Sequence, residues 1–134
     1  MYFGSTASQA IAAGSVVALS SGRLIPAAND TDPSIIVGVI KDAITSSDTA
    51  YATAGTLVAV EAPVEKNVVW EATVTADGAL TNTDQGTYMD LTTADDGSAV
   101  DTTVSTLDTV FCVGFISATL GKFVLNIGPD YMTP

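Results

Sequence analysis

Short runs of β-branched residues, interrupted by turn residues at short intervals, are the feature that most restricts the fold of this 134-residue chain. Val, Ile and Thr favour strands because their branched Cβ atoms pack well on a pleated surface. Gly, Asn, Asp and Ser separate the runs, and Glu, Lys and Arg, the usual residues of exposed helices, are scarce. The pattern predicts strands at residues 15–19, 24–28, 35–40, 56–60, 68–75, 87–91, 110–117 and 121–127.

The spacing of these strands predicts an all-β fold, a barrel or a sandwich, with a helical turn only near residues 8–13. The sequence shows no clear internal repeat. Near Pro63 the pattern changes from Ala/Ser-rich segments to a clean alternation of apolar and polar residues. We therefore expect the chain to divide near Pro63 into two β modules, residues 10–62 and residues 63–134, the second of them a small antiparallel unit. Residues 1–9 are expected to form an N-terminal arm.

The charge balance excludes several kinds of partner. The chain has 15 acidic residues and 4 basic ones, for a net charge of −11. Nucleic-acid binding needs clustered Lys and Arg, and anionic membrane surfaces attract cations, so we expect neither partner. No run approaches the roughly 18 apolar residues that span a bilayer. The first residues lack the pattern of a signal peptide, so synthesis in the cytoplasm is expected.

Catalytic chemistry has little support in the sequence. The chain contains no His, which excludes a Ser-His-Asp triad and a Cys–His pair. It lacks the glycine-rich phosphate-binding and dinucleotide-binding motifs. Glu61 and Glu71 could form a carboxylate pair of the glycosidase type, but an acidic chain offers such pairs by chance. We expect no enzymatic activity and no cofactor.

Other side chains with binding chemistry have simpler interpretations. The acidic pairs Asp30/Asp32 and Asp95/Asp96 match parts of calcium-binding loops but lack the further oxygen ligands and the distal Glu, so solvated turns are expected rather than a metal site. Cys112 lies in an apolar run and is expected to be a buried thiol. Trp70 is on the apolar face of its predicted strand and is expected in the core.

Tyr2 and Phe3 are the candidate partner-binding residues. Two aromatic side chains precede Gly4 at a terminus that shows no strand or helix pattern. An extended terminus of this kind can add a strand to the exposed edge of a partner's sheet. A terminus that packs locally is the alternative.

The first half of the chain resembles the β-rich decoration (cement) proteins that stabilise the capsids of tailed phages. The resemblance is carried by a Gly followed by a Val-rich strand at 14–19, a Gly-containing turn and return strand at 22–28, an Ile-Val-Gly-Val-Ile strand at 36–40, and Gly55 before the strand at 56–60. It covers roughly residues 10 to 62. The second half is similar, less specifically, to the extra β module that some of these proteins carry.

The resemblance implies a small barrel of the β-tulip type and a structural role in the virion. Such proteins bind the outside of the expanded capsid as homotrimers and bridge neighbouring copies of the major capsid protein. Two alternatives remain open from the residues alone. The protein could be another β component of the virion or tail, or a soluble module that binds a ligand or carbohydrate, although sugar sites usually present more exposed aromatic side chains.

Overall fold

Two small closed β-barrels make up the computed structural model, which describes residues 1–27, 31–62, 69–74, 78–92, 99–103 and 105–126. The described residues include one helix of a single turn, α1 (Thr49–Ala52), and two 3₁₀ turns. Their strands are β1 (Tyr2–Ser5), β2 (Val16–Ser20), β3 (Arg23–Pro26), β4 (Ile36–Ile40), β5 (Leu57–Glu61), β6 (Val69–Val74), β7 (Tyr88–Leu91), β8 (Ala99–Asp101), β9 (Val110–Ser117) and β10 (Leu120–Leu125).

Barrel 1 contains the first five strands in the order β1-β3-β2-β4-β5, with β5 closing back on β1. The pair β1–β3 is parallel, and the remaining pairs are antiparallel. Its interior contains Val17, Leu24, Val37, Ile40 and Val60, all of which are buried. Alternation along β2 places Val16 and Ala18 on the outer side of the barrel.

Barrel 2 contains the other five strands in the order β10-β6-β8-β7-β9, with β9 closing back on β10. Here β6–β8 is the parallel pair, and the remaining pairs are antiparallel. Met89, Leu91, Val100, Cys112 and Phe123 are buried in its interior. The same cluster of buried apolar side chains includes four residues of barrel 1, which are Val16, Ala18, Ala27 and Ile36. The two barrels therefore share apolar packing.

The two barrels have the same topology, although the sequence shows no clear repeat. Strands β1 to β5 correspond in order to β6 to β10, with the same neighbours and the same directions. The pairing register of corresponding strands is also the same. The first residue of β2, Val16, pairs with Val39 of β4, and the first residue of β7, Tyr88, pairs with Phe111 of β9. We call two residues counterparts when they occupy the same position in the two barrels.

Backbone hydrogen bonds outside the strands fix this correspondence independently. The N–H of Gly14 donates to the carbonyl of Ile40 over 2.9 Å, and the N–H of Gly86 donates to the carbonyl of Cys112 over 2.8 Å. Both glycines have positive φ, at 79° and 86°. A turn that requires φ > 0 is thus repeated at the start of β2 and β7. The counterparts used below are Val16 with Tyr88, Ala18 with Asp90, Ile25 with Asp101, Val39 with Phe111, Met1 with Trp70, Glu61 with Val124, and Ala62 with Leu125.

The prediction of an all-β fold with two modules is confirmed. The second module is itself a closed barrel with one parallel strand pair, rather than a purely antiparallel unit. Strands β1 and β8 were not predicted, because both are short and lack apolar alternation. The predicted boundary at Pro63 and the end of the last predicted strand at Ile127 lie outside the described residues.

The N-terminal residues differ from the expected arm. Tyr2–Ser5 is strand β1, which lies between β3 and β5 and closes barrel 1. Its backbone is therefore engaged within the chain and is not available to extend a partner's sheet. Residues 1–9 belong to barrel 1 in part, and the strands of that barrel extend from Tyr2 to Glu61.

Gly38 allows the backbones of β4 and β5 to come close together where barrel 1 closes. Its φ is +150°, and a Cβ atom at this position would overlap the carbonyl oxygen of Glu61 and lie 2.9 Å from the Cα of Ala62. Both contacts are with backbone, which has no rotamer that relieves them. Any other residue must therefore separate β4 from β5.

We expect Gly38→Ala to lower the free energy of unfolding by about 2 kcal/mol or more, because overlap with backbone and an unfavourable φ add together. Gly114→Ala is the matched control, since a Cβ there meets only the side chain of Lys122 at 3.3 Å and the cost is expected below about 1 kcal/mol. Urea unfolding followed by Trp70 fluorescence measures both. Equal losses for the two variants would contradict the role given to Gly38.

Candidate functional site

A row of apolar side chains crosses four neighbouring strands on the outside of barrel 2. Val69 pairs with Val124, Val124 with Phe111, and Phe111 with Tyr88. We call these four residues the barrel-2 row. Side chains directly opposite one another on adjacent strands are about 5 Å apart and act as a unit. The row therefore forms a continuous apolar strip across β6, β10, β9 and β7.

The barrel-2 row is open to solvent at both ends. Val69 is 51% exposed and Tyr88 is 47% exposed, while Phe111 and Val124 are half-buried. The rings of Tyr88 and Phe111 lie with centroids 4.9 Å apart at 59°. A shallow depression beside them is lined by Tyr88, Phe111, Val124, Leu125 and Asn126. Grouped exposed apolar side chains on a soluble chain often mark a protein-binding surface.

A cleft of about 430 Å³ lies between the two barrels, and we call it the interbarrel cleft. Trp70 and Phe123 are in contact at the barrel-2 side, with ring centroids 6.5 Å apart. The lining is mostly apolar, with Glu61 as the charged side chain among the described residues. Barrel 1 contributes Met1, Val39, Val60, Glu61 and Ala62. Barrel 2 contributes Val69, Trp70 and Leu125.

Tyr2 and Phe3, the residues singled out in the sequence, point to opposite sides of β1. Phe3 packs against the core of barrel 1, so its role is structural. Tyr2 is 69% exposed on the outer side, near Leu57 of the adjacent strand, which is equally exposed. Tyr2 thus remains a candidate contact residue, while Phe3 holds β1 in place.

The two glutamates that could form a carboxylate pair lie on different barrels. Glu61 lies opposite Val39 in barrel 1, whereas Glu71 lies opposite Lys122 in barrel 2. The Asp32 carboxylate accepts a hydrogen bond from the N–H of Ser34, which lowers the pKa of Asp32. Asp30, Asp95 and Asp96 lie outside the described residues. No group of three potential metal-ligating side chains occurs in the described part of the chain.

Asp90 is a buried carboxylate that the sequence analysis did not single out. It is on the outer side of β7, yet it is fully buried, because residues 105–109 cover it. Its oxygens accept backbone N–H groups of Thr106 at 2.8 Å, Leu107 at 3.1 Å and Thr109 at 3.4 Å. Charge-assisted bonds of this kind are strong, so Asp90 holds this segment against the barrel. An alternating sequence pattern cannot show that another segment of the chain buries the outer side of a strand.

Cys112 and Trp70 lie where the sequence predicted. Cys112 is fully buried inside barrel 2, and burial raises the pKa of its thiol. Trp70 packs against the barrel-2 core through Phe123 but also lines the interbarrel cleft. Trp70 therefore has both a core role and an accessible edge.

Comparison of the chain with protein-family profiles, with curated proteins and with solved structures gave no match. None of the described helices is long and apolar enough to cross a membrane. The fold defines the chain as an all-β protein of two similar five-stranded barrels.

The burial of Cys112 makes a simple prediction about its reactivity. The thiolate is the reactive form, so a buried thiol with a raised pKa should react with iodoacetamide at pH 8 at least about tenfold more slowly in the native protein than in urea. Mass spectrometry of the labelled protein measures both rates. Rapid labelling of native protein would show that barrel 2 opens at β9.

The hydrogen bonds of Asp90 predict that Asp90→Asn lowers the free energy of unfolding by about 1–3 kcal/mol, because the neutral amide accepts fewer of the N–H groups and leaves the others buried. Asp101→Asn is the control: its carboxylate accepts from Thr103 in an exposed turn, and its loss should cost less than about 1 kcal/mol. Urea unfolding compares the two variants. If Asp90→Asn left the free energy of unfolding unchanged, other contacts would hold residues 105–109 against the barrel.

Proposed function

We propose that this protein is a structural virion component that binds the outside of an expanded tailed-phage capsid and stabilises it by bridging neighbouring capsid subunits. The observation that carries the proposal is that a chain with a net charge of −11 exposes large apolar side chains on both barrels, those of Tyr2 and Leu57 on barrel 1 and those of the barrel-2 row. Such side chains favour a protein partner. The identity of the partner, the major capsid protein, comes from the resemblance of residues 10–62 to capsid decoration proteins.

Stabilisation by such a protein needs binding energy rather than chemistry. Packed DNA exerts pressure on the shell, and a protein that binds only the expanded form shifts the equilibrium toward that form. A homotrimer presents three contacts at once, so each contact can be weak and the assembly still binds tightly. An acidic protein is repelled by DNA, which suits a position on the outer surface of the capsid.

The interbarrel cleft supports a second candidate, a module that binds a small apolar ligand. The cleft is within the size range of small-molecule sites, and its lining includes Trp70 and one carboxylate, that of Glu61. A thermal-shift screen of apolar amines and of oligosaccharides tests this candidate. A tail or fibre component is the remaining alternative, and it would assemble with tail proteins rather than with heads.

Co-sedimentation with expanded phage heads that lack the protein tests the proposed function directly. Saturable pelleting, at a stoichiometry that matches the threefold positions, together with increased resistance of the heads to heat, is the expected result. Unexpanded heads serve as the control and should bind poorly. Failure to pellet with expanded heads at low salt would reject the capsid role in favour of the alternatives.

Tyr2 provides a variant that separates binding from folding. Tyr2→Ser removes an exposed ring and should weaken capsid binding about tenfold, or about 1.4 kcal/mol, while the melting temperature changes little. Deleting the terminus would be a poorer test, because β1 closes barrel 1. Ile116→Ser, an exposed site on barrel 2, is the control. Unchanged capsid binding by Tyr2→Ser would remove Tyr2 from the contact surface.

A further inference from the structure

The contact between the two barrels is one-sided. Val39, on the outer side of barrel 1, lines the interbarrel cleft together with Trp70 and Leu125 of barrel 2. Val16, which pairs with Val39, is fully buried in the apolar cluster that both barrels share. The outer side of β2 and β4 in barrel 1 is thus covered within the chain.

Among the described residues, none from barrel 1 covers the same surface of barrel 2. Tyr88 and Phe111 are the counterparts of Val16 and Val39, and they form the exposed end of the barrel-2 row. The depression beside them has no barrel-1 residue in its described lining. Val39 lines the interbarrel cleft together with Trp70 and Leu125, whereas its counterpart Phe111 is not among the described residues of that lining. The outer side of barrel 1 thus reaches the cleft, and the corresponding side of barrel 2 does not.

The rest of the corresponding surface is occupied by the chain itself. Asp90 and Asp101 are the counterparts of Ala18 and Ile25, and residues 105–109 cover Asp90. Within the described part of this surface, the Tyr88–Phe111 end remains exposed. This end is aromatic and larger than its counterpart in barrel 1, as expected of a surface that contacts a separate chain.

We propose that Tyr88 and Phe111 of one copy dock into the interbarrel cleft of a second copy, beside Met1, and so repeat between chains the contact that the barrels make within a chain. Met1 is 64% exposed and borders the cleft together with Ala62, the counterpart of Leu125. The apolar lining suits two aromatic rings, and the Glu61 carboxylate is an acceptor for the hydroxyl group of Tyr88. This one contact thus joins the interbarrel cleft of one copy to the barrel-2 row of another.

A head-to-tail contact gives each copy one docking surface and one receiving surface. Repetition of such a contact closes into a ring or continues as a filament, and a closed ring engages every surface. Because each chain carries a net charge of −11, copies repel one another at low salt, and added salt should strengthen an association that rests on apolar side chains. Copies of the proposed homotrimer would meet through this contact. The residues of the contact follow from the geometry of the barrels and do not depend on capsid binding.

Two charge-matched variants test the docking surface. Tyr88→Arg places a cation in the proposed contact and should reduce self-association at least tenfold in sedimentation velocity of the purified chain at 0.3 M salt. Ile116→Arg changes the net charge equally at a similarly exposed site on β9 and should associate as well as the parent. If Tyr88→Arg associated like Ile116→Arg, or if the parent chain were monomeric at 0.1 mM in the same salt, the proposal would be rejected.

Mixing complementary variants tests the head-to-tail arrangement. Ala62→Arg fills the receiving cleft and should also be monomeric alone, while its docking surface is intact. An equimolar mixture of Tyr88→Arg and Ala62→Arg has one intact pair of surfaces and should form dimers and nothing larger. A mixture that stays monomeric would overturn the proposal. A mixture that forms assemblies as large as those of the parent chain would overturn it as well.

The outcome for capsid binding is measured separately, on expanded heads. A monomeric Tyr88→Arg that still pellets with heads supports the contact between copies and leaves the capsid role standing. A self-association that is unaffected by Tyr88→Arg, combined with a loss of pelleting, would assign the barrel-2 row to the capsid instead and reject its role between copies. Failure of the parent to bind heads, with self-association as expected, would reject only the capsid role.

Discussion

Closure of each barrel by its first strand is the constraint on which the rest of the structure depends. In barrel 1, β1 pairs in parallel with β3 and antiparallel with β5, and β6 makes the corresponding pairs with β8 and β10. Closure leaves no strand edge open, so the backbone hydrogen bonds are satisfied within each barrel. It also requires close approach of backbones, which Gly38 permits between β4 and β5. With the interiors filled, the outer surfaces are what remains for recognition.

The two barrels share one topology but differ in what their outer surfaces contact. The turn glycines Gly14 and Gly86 and their hydrogen bonds are retained, whereas the outward side chains differ. Small aliphatic residues on the outer side of barrel 1 pack against the rest of the chain. Their counterparts in barrel 2 include the exposed Tyr88, the half-buried Phe111, and Asp90, which binds backbone N–H groups of residues 106–109. Because these outward side chains do not fill the interior of their own barrel, they can differ between the barrels while the topology is the same.

The distribution of charge links this architecture to the proposed function. A strongly acidic chain stays dispersed and avoids DNA, and its uncharged surfaces then decide which proteins it contacts. The barrel-2 row and the interbarrel cleft are two such surfaces, and neither depends on a reactive side chain. These surfaces suit binding through apolar contacts, and a symmetric oligomer would present several such contacts at once.

The sequence by itself determined the β class, most strand positions, the two modules and the burial of Cys112, because alternation and turn residues report locally which side of a strand faces the core. The tertiary structure decided the rest. Strand β1 carries no alternation, and its pairing with residues more than 50 positions away is fixed only by closure of the barrel. The burial of Asp90 depends on a distant segment, and the duplication is preserved in backbone hydrogen bonds rather than in residue identity. For Tyr2 and Phe3, only the folded barrel shows that one faces solvent and the other the core, since pairing register rather than composition sets the side to which each points.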